Sequence, residues 1–304
     1  MSVQTLLWLG FALLMAIMFA LDLGVFNRKS HEIGFREALV WTLVWVSLAL
    51  AFNAGIYLYL GPAKALEFFT GYVIEESLSV DNLFVFIMIF SYFHIPRSHQ
   101  PKILKWGILG ALAMRALFIL IGIGLIERFH WMVYLFGGIL VVTGIKMAFG
   151  GGNHIEPEKN LMVRLVRKFV PITKRIHGDR FFVSRQGVRA ATPLFLALVV
   201  VESSDVIFAV DSIPAVLAVT RDPFIVYTSN VFAIMGLRSL YYLLANVMGM
   251  FVFLKLGISF ILAFVGAKML LSDIYPIPVH VSLAVIVGAL AVSIITSVTF
   301  GTKK

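Results

Sequence analysis

The chain contains no cysteine. That removes disulfides, iron–sulfur clusters, thiolate metal sites and dithiol exchange together, and leaves any chemistry to carboxylates, hydroxyls, amides, methionine, histidine, lysine and arginine. Charge is scarce too: 13% of residues are charged, against about 25% in soluble domains. With 60% apolar side chains and a mean hydropathy of +0.96 over 304 residues, the composition is that of an all-α polytopic membrane protein. No nucleophile–base constellation or cofactor motif falls at membrane depth, so the sequence argues against an enzyme.

The apolar residues fall into nine windows, roughly 3–22, 38–59, 66–93, 103–126, 131–149, 191–219, 224–244, 250–271 and 278–300. Each can cross a hydrocarbon core that needs about 20 residues. The first has no basic residue before it and is followed by Arg28 and Lys29, which reads as a retained span entering from outside and not as a cleaved signal peptide. Basic residues then alternate with side. The segments after spans 1, 3 and 5 and the C-terminus hold 17 Lys and Arg, nine of them between 159 and 189, while the opposite side holds only Lys64, Arg128 and Arg221. The positive-inside rule places the N-terminus outside and the C-terminus in the cytoplasm. The net charge of +9 is therefore a topology signal, with no call for nucleic acid.

Charged positions inside the windows expose an internal duplication. Spans 3–5 carry "SVDNLFVF", "ALAMRALF" and "VVTGIKM", and spans 6–8 carry "SSDVIFAV", "AIMGLRSLYY" and "AFVGAKM". Asp81 matches Asp205, Arg115 matches Arg238 and Lys146 matches Lys268, with Asp-to-Arg separations of 34 and 33 residues and Arg-to-Lys separations of 31 and 30. A three-span unit returns the chain to the other side, so the second copy is inverted. Inverted repeats place a transporter's substrate site near the midplane, at the repeat interface. The chain divides into scaffold helices (1–60), a first repeat (61–149), a basic cytoplasmic loop (150–190), a second repeat (191–273) and a final span (274–304). Within the loop, Leu161, Leu165, Val166 and Phe169 share a helical face bordered by Arg164, Arg167 and Lys168, which predicts a short amphipathic helix ending near Pro171. Residues 159–189 suit either an anionic lipid surface or a solvated basic linker.

Six carboxylates lie in the interior of the spans, away from their ends: Glu75, Glu76, Asp81, Glu202, Asp205 and Asp211. One at the centre of a spanning helix costs about 2.5–3.5 kcal/mol on insertion scales, and such groups line pathways or pair with each other. Arg115, Arg238, Lys146 and Lys268 offset four charges if all count, although the lysines sit near span ends and can snorkel to the interface. Two negative charges remain, which a divalent cation or two protons would balance. The oxygen donors Ser77, Ser79 and Asn82 accompany the acids, and Pro214 predicts a break beside Asp211 that would free carbonyls as further ligands. Oxygen donors suit magnesium, calcium or manganese. All seven histidines fall in loops or at span ends, which argues against a midplane zinc site, and Met88, Met114 or Met235 would add a softer ligand. The competing reading is structural: Asp81–Arg115 and Asp205–Arg238 as ion pairs that pin the repeats together. No small-residue motif compels a homodimer, and none excludes one.

With "EESLSVDN" followed by "VESSDVIFAVDS", nine spans, the basic loop and the "RALF" and "RSLYY" arginines, most of the chain resembles the TerC family of integral membrane proteins, itself similar to the LysE-type transporter group. The resemblance implies a bacterial inner-membrane protein exporting Mn2+ as substrate, with no permanent cofactor. It carries the family's motif acids onto Glu75, Asp81, Glu202, Asp205 and Asp211, with Glu76 as a second candidate for the first acid. Protons are the expected exchange partner, and Arg115 and Arg238 the groups that neutralise the acids in the empty state. Two alternatives stay open: a proton-coupled exporter of another small solute, whose arginines hold an anion, and a non-transporting membrane partner of another protein or a redox system.

Overall fold

The structure is a computed structural model and describes residues 3–20, 33–149, 161–173, 176, 178–185, 188–247 and 253–300. Its elements, in chain order, are α1 (Val3–Ala20), α2 (Phe35–Leu60), α3 (Pro62–Tyr92), α4 (Gln100–Arg128), α5 (Met132–Phe149), α6 (Leu161–Phe169), β1 (Phe182–Arg185), β2 (Val188–Ala191), α7 (Pro193–Leu217), α8 (Pro223–Val247), α9 (Leu254–Leu270) and α10 (Val279–Phe300). Prolines punctuate this order. Those in the first turns of α3, α4 and α7 sit where a missing N–H costs no helical hydrogen bond, and each fixes a start. Between α2 and α3 the chain turns on Gly61 alone, at φ 91°, a conformation few side chains tolerate.

Among the described residues, five helices are long and apolar enough to cross a membrane: α2, α4 with its preceding turn (Arg97–Arg128), α5, α7 and α10 (Val279–Thr299). The acids Glu75, Glu76 and Asp81 lower the hydropathy of α3. Apolar side chains point outward as well as inward, with Leu39, Val40 and Leu43 on α2, Leu117 and Leu120 on α4, and Val287, Val292 and Ile295 on α10 exposed. A water-soluble bundle would present polar groups there; lipid solvates these. Internal hydroxyls turn back on their own helices, as Thr70, Ser203, Ser204 and Thr228 do by donating to carbonyls four residues earlier.

At the centre, α3 and α4 each pack against α7 and α8; α5 lies along α9, α2 covers α8 and α3, and α10 covers α9 and α3. The α5–α9 contact is close because neither side has a β-carbon: one built on Gly266 would lie 2.6 Å from the Gly137 carbonyl oxygen, and one on Gly137 would lie 2.9 Å from that of Gly266. Phe11 and Met15 of α1 join Phe52, Phe68, Phe224 and Phe232 in a cluster on the α8 side.

Two sequence expectations need correction. The helix does not break at Asp211: α7 continues through Pro214 to Leu217. Pro214 falls in the last turn, where its missing donor affects one carbonyl only, and its own carbonyl accepts the Ala218 N–H. The basic loop is also more than a helix and a linker, because β1 and β2 pair antiparallel with Phe182 opposite Ala191. Phe182 packs on Phe195 of α7 at 4.5 Å, and the Thr192 hydroxyl donates to the carbonyls of Arg180 and Phe181, fastening the hairpin to the start of α7. Within α6, Val163 and Val166 face the bundle, while Met162, Leu165 and Phe169 are exposed beside Arg164 and Lys168. The side chains of Leu161 and Arg167 lie outside the described residues, as do Arg28, Lys29, Lys159, Lys174, Arg175, Lys303 and Lys304.

Candidate functional site

Arg115 is the largest fully buried side chain, 1% exposed, at the middle of α4. Its guanidinium donates to Oε1 of Glu75 on α3 and, at 2.7 Å, to Oδ1 of Asn230 on α8. Asn230 closes the triangle by donating its amide N–H to Glu75 Oε2 at 3.0 Å. Asp205 of α7 completes the group, with Oδ1 3.6 Å from Arg115 Nη2. Four helices thus contribute one polar side chain each, and Glu75 and Asn230 have no solvent exposure at all.

The charges in this group do not cancel. One guanidinium faces Glu75 and Asp205, and Glu202 lies one turn before Asp205 on the same face of α7. Gly110 makes room for it: a β-carbon there would fall on the Glu202 carboxylate. Oε2 of Glu202, Oδ2 of Asp205 and Oγ of Ser79 are all buried with no hydrogen-bond partner in the protein, as are Nε and Nη2 of Arg115. Buried polar atoms are paired in the great majority of cases. The two orphaned carboxylate oxygens, one turn apart on α7, are groups that a cation would satisfy. Among the described residues, no three His, Cys, Asp or Glu side chains are drawn together tightly enough to hold a metal ion.

The other sequence candidates fall elsewhere. Asp211 lies six residues beyond Asp205, about 9 Å along the helix, and accepts a hydrogen bond from Thr143 of α5 at 2.9 Å. Glu76 points away from Glu75, accepting from the Tyr72 hydroxyl at 2.9 Å and lying against Gly236 of α8. Asn82 is buried on α3, Arg238 is buried on α8, and the side chain of Asp81 lies outside the described residues. The competing structural reading would pair Asp205 with Arg238; in the structure Asp205 Oδ1 lies 3.6 Å from Arg115 of α4. The two matched lysines diverge: Lys146 is exposed and Lys268 is buried. Met88 is exposed, facing away from the cluster.

Asn230 and Gly110 were not legible as site residues. A single amide in an apolar run reads as helix packing; the sequence cue is the polar run Thr228–Ser229–Asn230 inside a span, and the structure buries all three.

Cavities open at both ends of the bundle. One of about 700 Å3 is lined by Lys64, Glu67, the 217–223 connection, Lys268 and Ser272. The other, about 530 Å3, is lined by Phe90, His94, Arg97, Gln100, Tyr241 and Tyr242. The first is crossed by Lys64, which bonds Glu67 and Asp222 at 3.0 Å each. Burial depresses the Lys64 ammonium, but the two carboxylates outweigh it and hold its pKa above the ordinary value.

A model described as the integral membrane protein TerC family matches residues 60–304. An "Uncharacterized membrane protein STKORF319" of Myxococcus xanthus is 51% identical over 291 residues, covering 96% of this chain and 91% of its own. A protein of Escherichia coli K12 named "Putative membrane-bound redox modulator Alx" is 48% identical over 299 residues, covering 95% and 93%. An "Uncharacterized membrane protein" of Rickettsia bellii is 36% identical over 291 residues, covering 96% of each chain. No solved structure matches.

Proposed function

The chain belongs to the TerC family of integral membrane proteins, and from that premise we propose that it carries a divalent metal cation, Mn2+, out of the cytoplasm by alternating access across the bacterial inner membrane. The observation that carries the reading is the pair of orphaned carboxylate oxygens on Glu202 and Asp205 beside the Glu75–Arg115–Asn230 triangle. Glu202, Asp205, Glu75 and Asp81 are the ligands of this proposal, with Ser79 as a neutral donor, Asn82 near it on α3 and Asp211 further along the path. Arg115 holds Glu75 and Asp205 apart from solvent when the cation is absent and gives up a partner when it arrives. Protons returning onto the same carboxylates supply the exchange.

The nine-span inverted repeat belongs to the same proposal, with α3–α5 and α7–α9 as the two units. The α5–α9 contact supports it. Aligning Lys146 with Lys268 puts Gly144 opposite Gly266 and Gly137 opposite Ser259. The close approaches are Gly137 to Gly266 and Gly144 to Ser259, the same contact read from either unit. A two-fold relation produces that reciprocity. The exposed Met162, Leu165 and Phe169 beside Arg164 and Lys168 suit α6 to an anionic cytoplasmic leaflet. The redox role in a relative's name cannot run through thiols in a chain with no cysteine.

The test is Mn2+ uptake into inside-out proteoliposomes holding wild type or the Asp81→Asn, Asp205→Asn double variant, beside an established exporter as positive control. The proposal expects flux with wild type only. Equal flux in both, or none in either while the control works, overturns it.

A further inference from the structure

Lys268 is 8% exposed in the last turn of α9, lines the larger cavity, and has no hydrogen-bond or ion-pair partner among the described residues. Ammonium groups are strongly hydrated, and a buried one is ordinarily paired. The carbonyl end of α9 offsets part of the cost. The duplication does not explain the burial, because its match Lys146 is exposed and lines neither cavity.

The carboxylates in the same cavity are already engaged. Glu67 Oε2 accepts from Lys64 at 3.0 Å and from the Thr220 hydroxyl at 2.6 Å. Asp222 takes Lys64 on one oxygen and the Phe224 N–H, at the start of α8, on the other. Lys268 and Arg221 are the lining cations with no ion-pair partner among the described residues, and the lining carries three cations against two carboxylates, with the Ser272 hydroxyl one turn beyond Lys268.

We propose that this cavity binds a small oxyanion of the phosphate class, either inorganic phosphate or the phosphate of a phospholipid headgroup, with Lys268 as its principal contact and Arg221 at the rim. Lys268 would repel the divalent cation of the reading above, so this site takes a different ligand and stands independently of that reading.

The test uses the full-length protein in a maltoside detergent, which brings no phosphate of its own. Thermal unfolding is followed against inorganic phosphate, and native mass spectrometry reads co-purified phospholipid. Phosphate also stabilises proteins generally by exclusion from their surface, so the decisive quantity is the difference between wild type and Lys268→Gln. We expect half-saturation by phosphate to weaken at least tenfold in Lys268→Gln and to persist in Lys268→Arg. A phospholipid retained by wild type and lost from Lys268→Gln, with phosphate acting only after delipidation, identifies the headgroup as the source. Without ligand, Lys268→Gln should unfold at or above the wild-type temperature, since it removes a desolvated charge. Equal phosphate response and equal lipid retention in the two proteins overturn the proposal. So does a Lys268→Gln protein that unfolds early without ligand, because Lys268 would then serve the fold.

Discussion

Arg115 stands between two carboxylates, and its worth is best judged by what its loss leaves behind. Removing one partner from a buried ion pair costs about 3–5 kcal/mol, because an uncompensated charge stays in a medium that cannot solvate it. Arg115→Gln should destabilise the protein by that order in detergent unfolding, and adding Glu75→Gln should recover a large part. A single variant as stable as wild type would mean that Glu75 and Asp205 are neutral in the fold. A second residue-scale expectation concerns the connection ahead of α10. Asp273 accepts from the Tyr134 hydroxyl at 2.5 Å and from His130 at 2.8 Å. Those hydrogen bonds, Tyr134 first, hold its carboxyl below the ordinary value of 3.8. A depressed carboxylate contributes stability above its unfolded pKa and loses it as pH falls through the folded one. The tie between the α4–α5 and α9–α10 connections should therefore persist at neutral pH and release below the ordinary value. Hydrogen exchange in these connections should be faster in Asp273→Asn than in wild type at about pH 6 and indistinguishable near pH 2. A difference that survives acid would assign the tie elsewhere.

Helix contacts turn on glycines at two places of different character. Gly110 yields to the tip of a flexible carboxylate, Glu202, whereas Gly137 and Gly266 meet backbone. Backbone cannot step aside. Gly266→Val should force α5 from α9 and cost at least the roughly 1–3 kcal/mol of core overpacking, while Gly124→Ala, with nothing within 4 Å of its β-carbon, should be neutral. Matched unfolding temperatures for the two variants would refute that packing. The elements were unevenly legible in the sequence. Helices such as α2, α4 and α10 announce themselves by apolar runs near the thickness of a bilayer, and the acids of α3 and α7 by their cost there. The partner of each acid was not legible, because facing depends on how four helices are rotated against each other. Hence the sequence leaves Asp205 open between a cation and Arg238, and only the packed helices bring it to Arg115 and bring Asn230 to the same guanidinium. The β1–β2 hairpin escaped for a different reason: four-residue strands carry too little alternation to stand out in a basic loop.

Taken whole, the molecule is a lipid-facing shell around a polar centre, with a cavity at either end. The proposed transport rests on the orphaned carboxylate oxygens belonging to a cation site. Binding can be separated from transport by titrating the purified protein with Mn2+ and following the free ion by electron paramagnetic resonance. Saturable binding is expected in wild type, weakened at least tenfold in the Glu202→Gln, Asp205→Asn double variant. Binding undiminished in that variant, or no saturable binding in a folded wild-type protein, would contradict it.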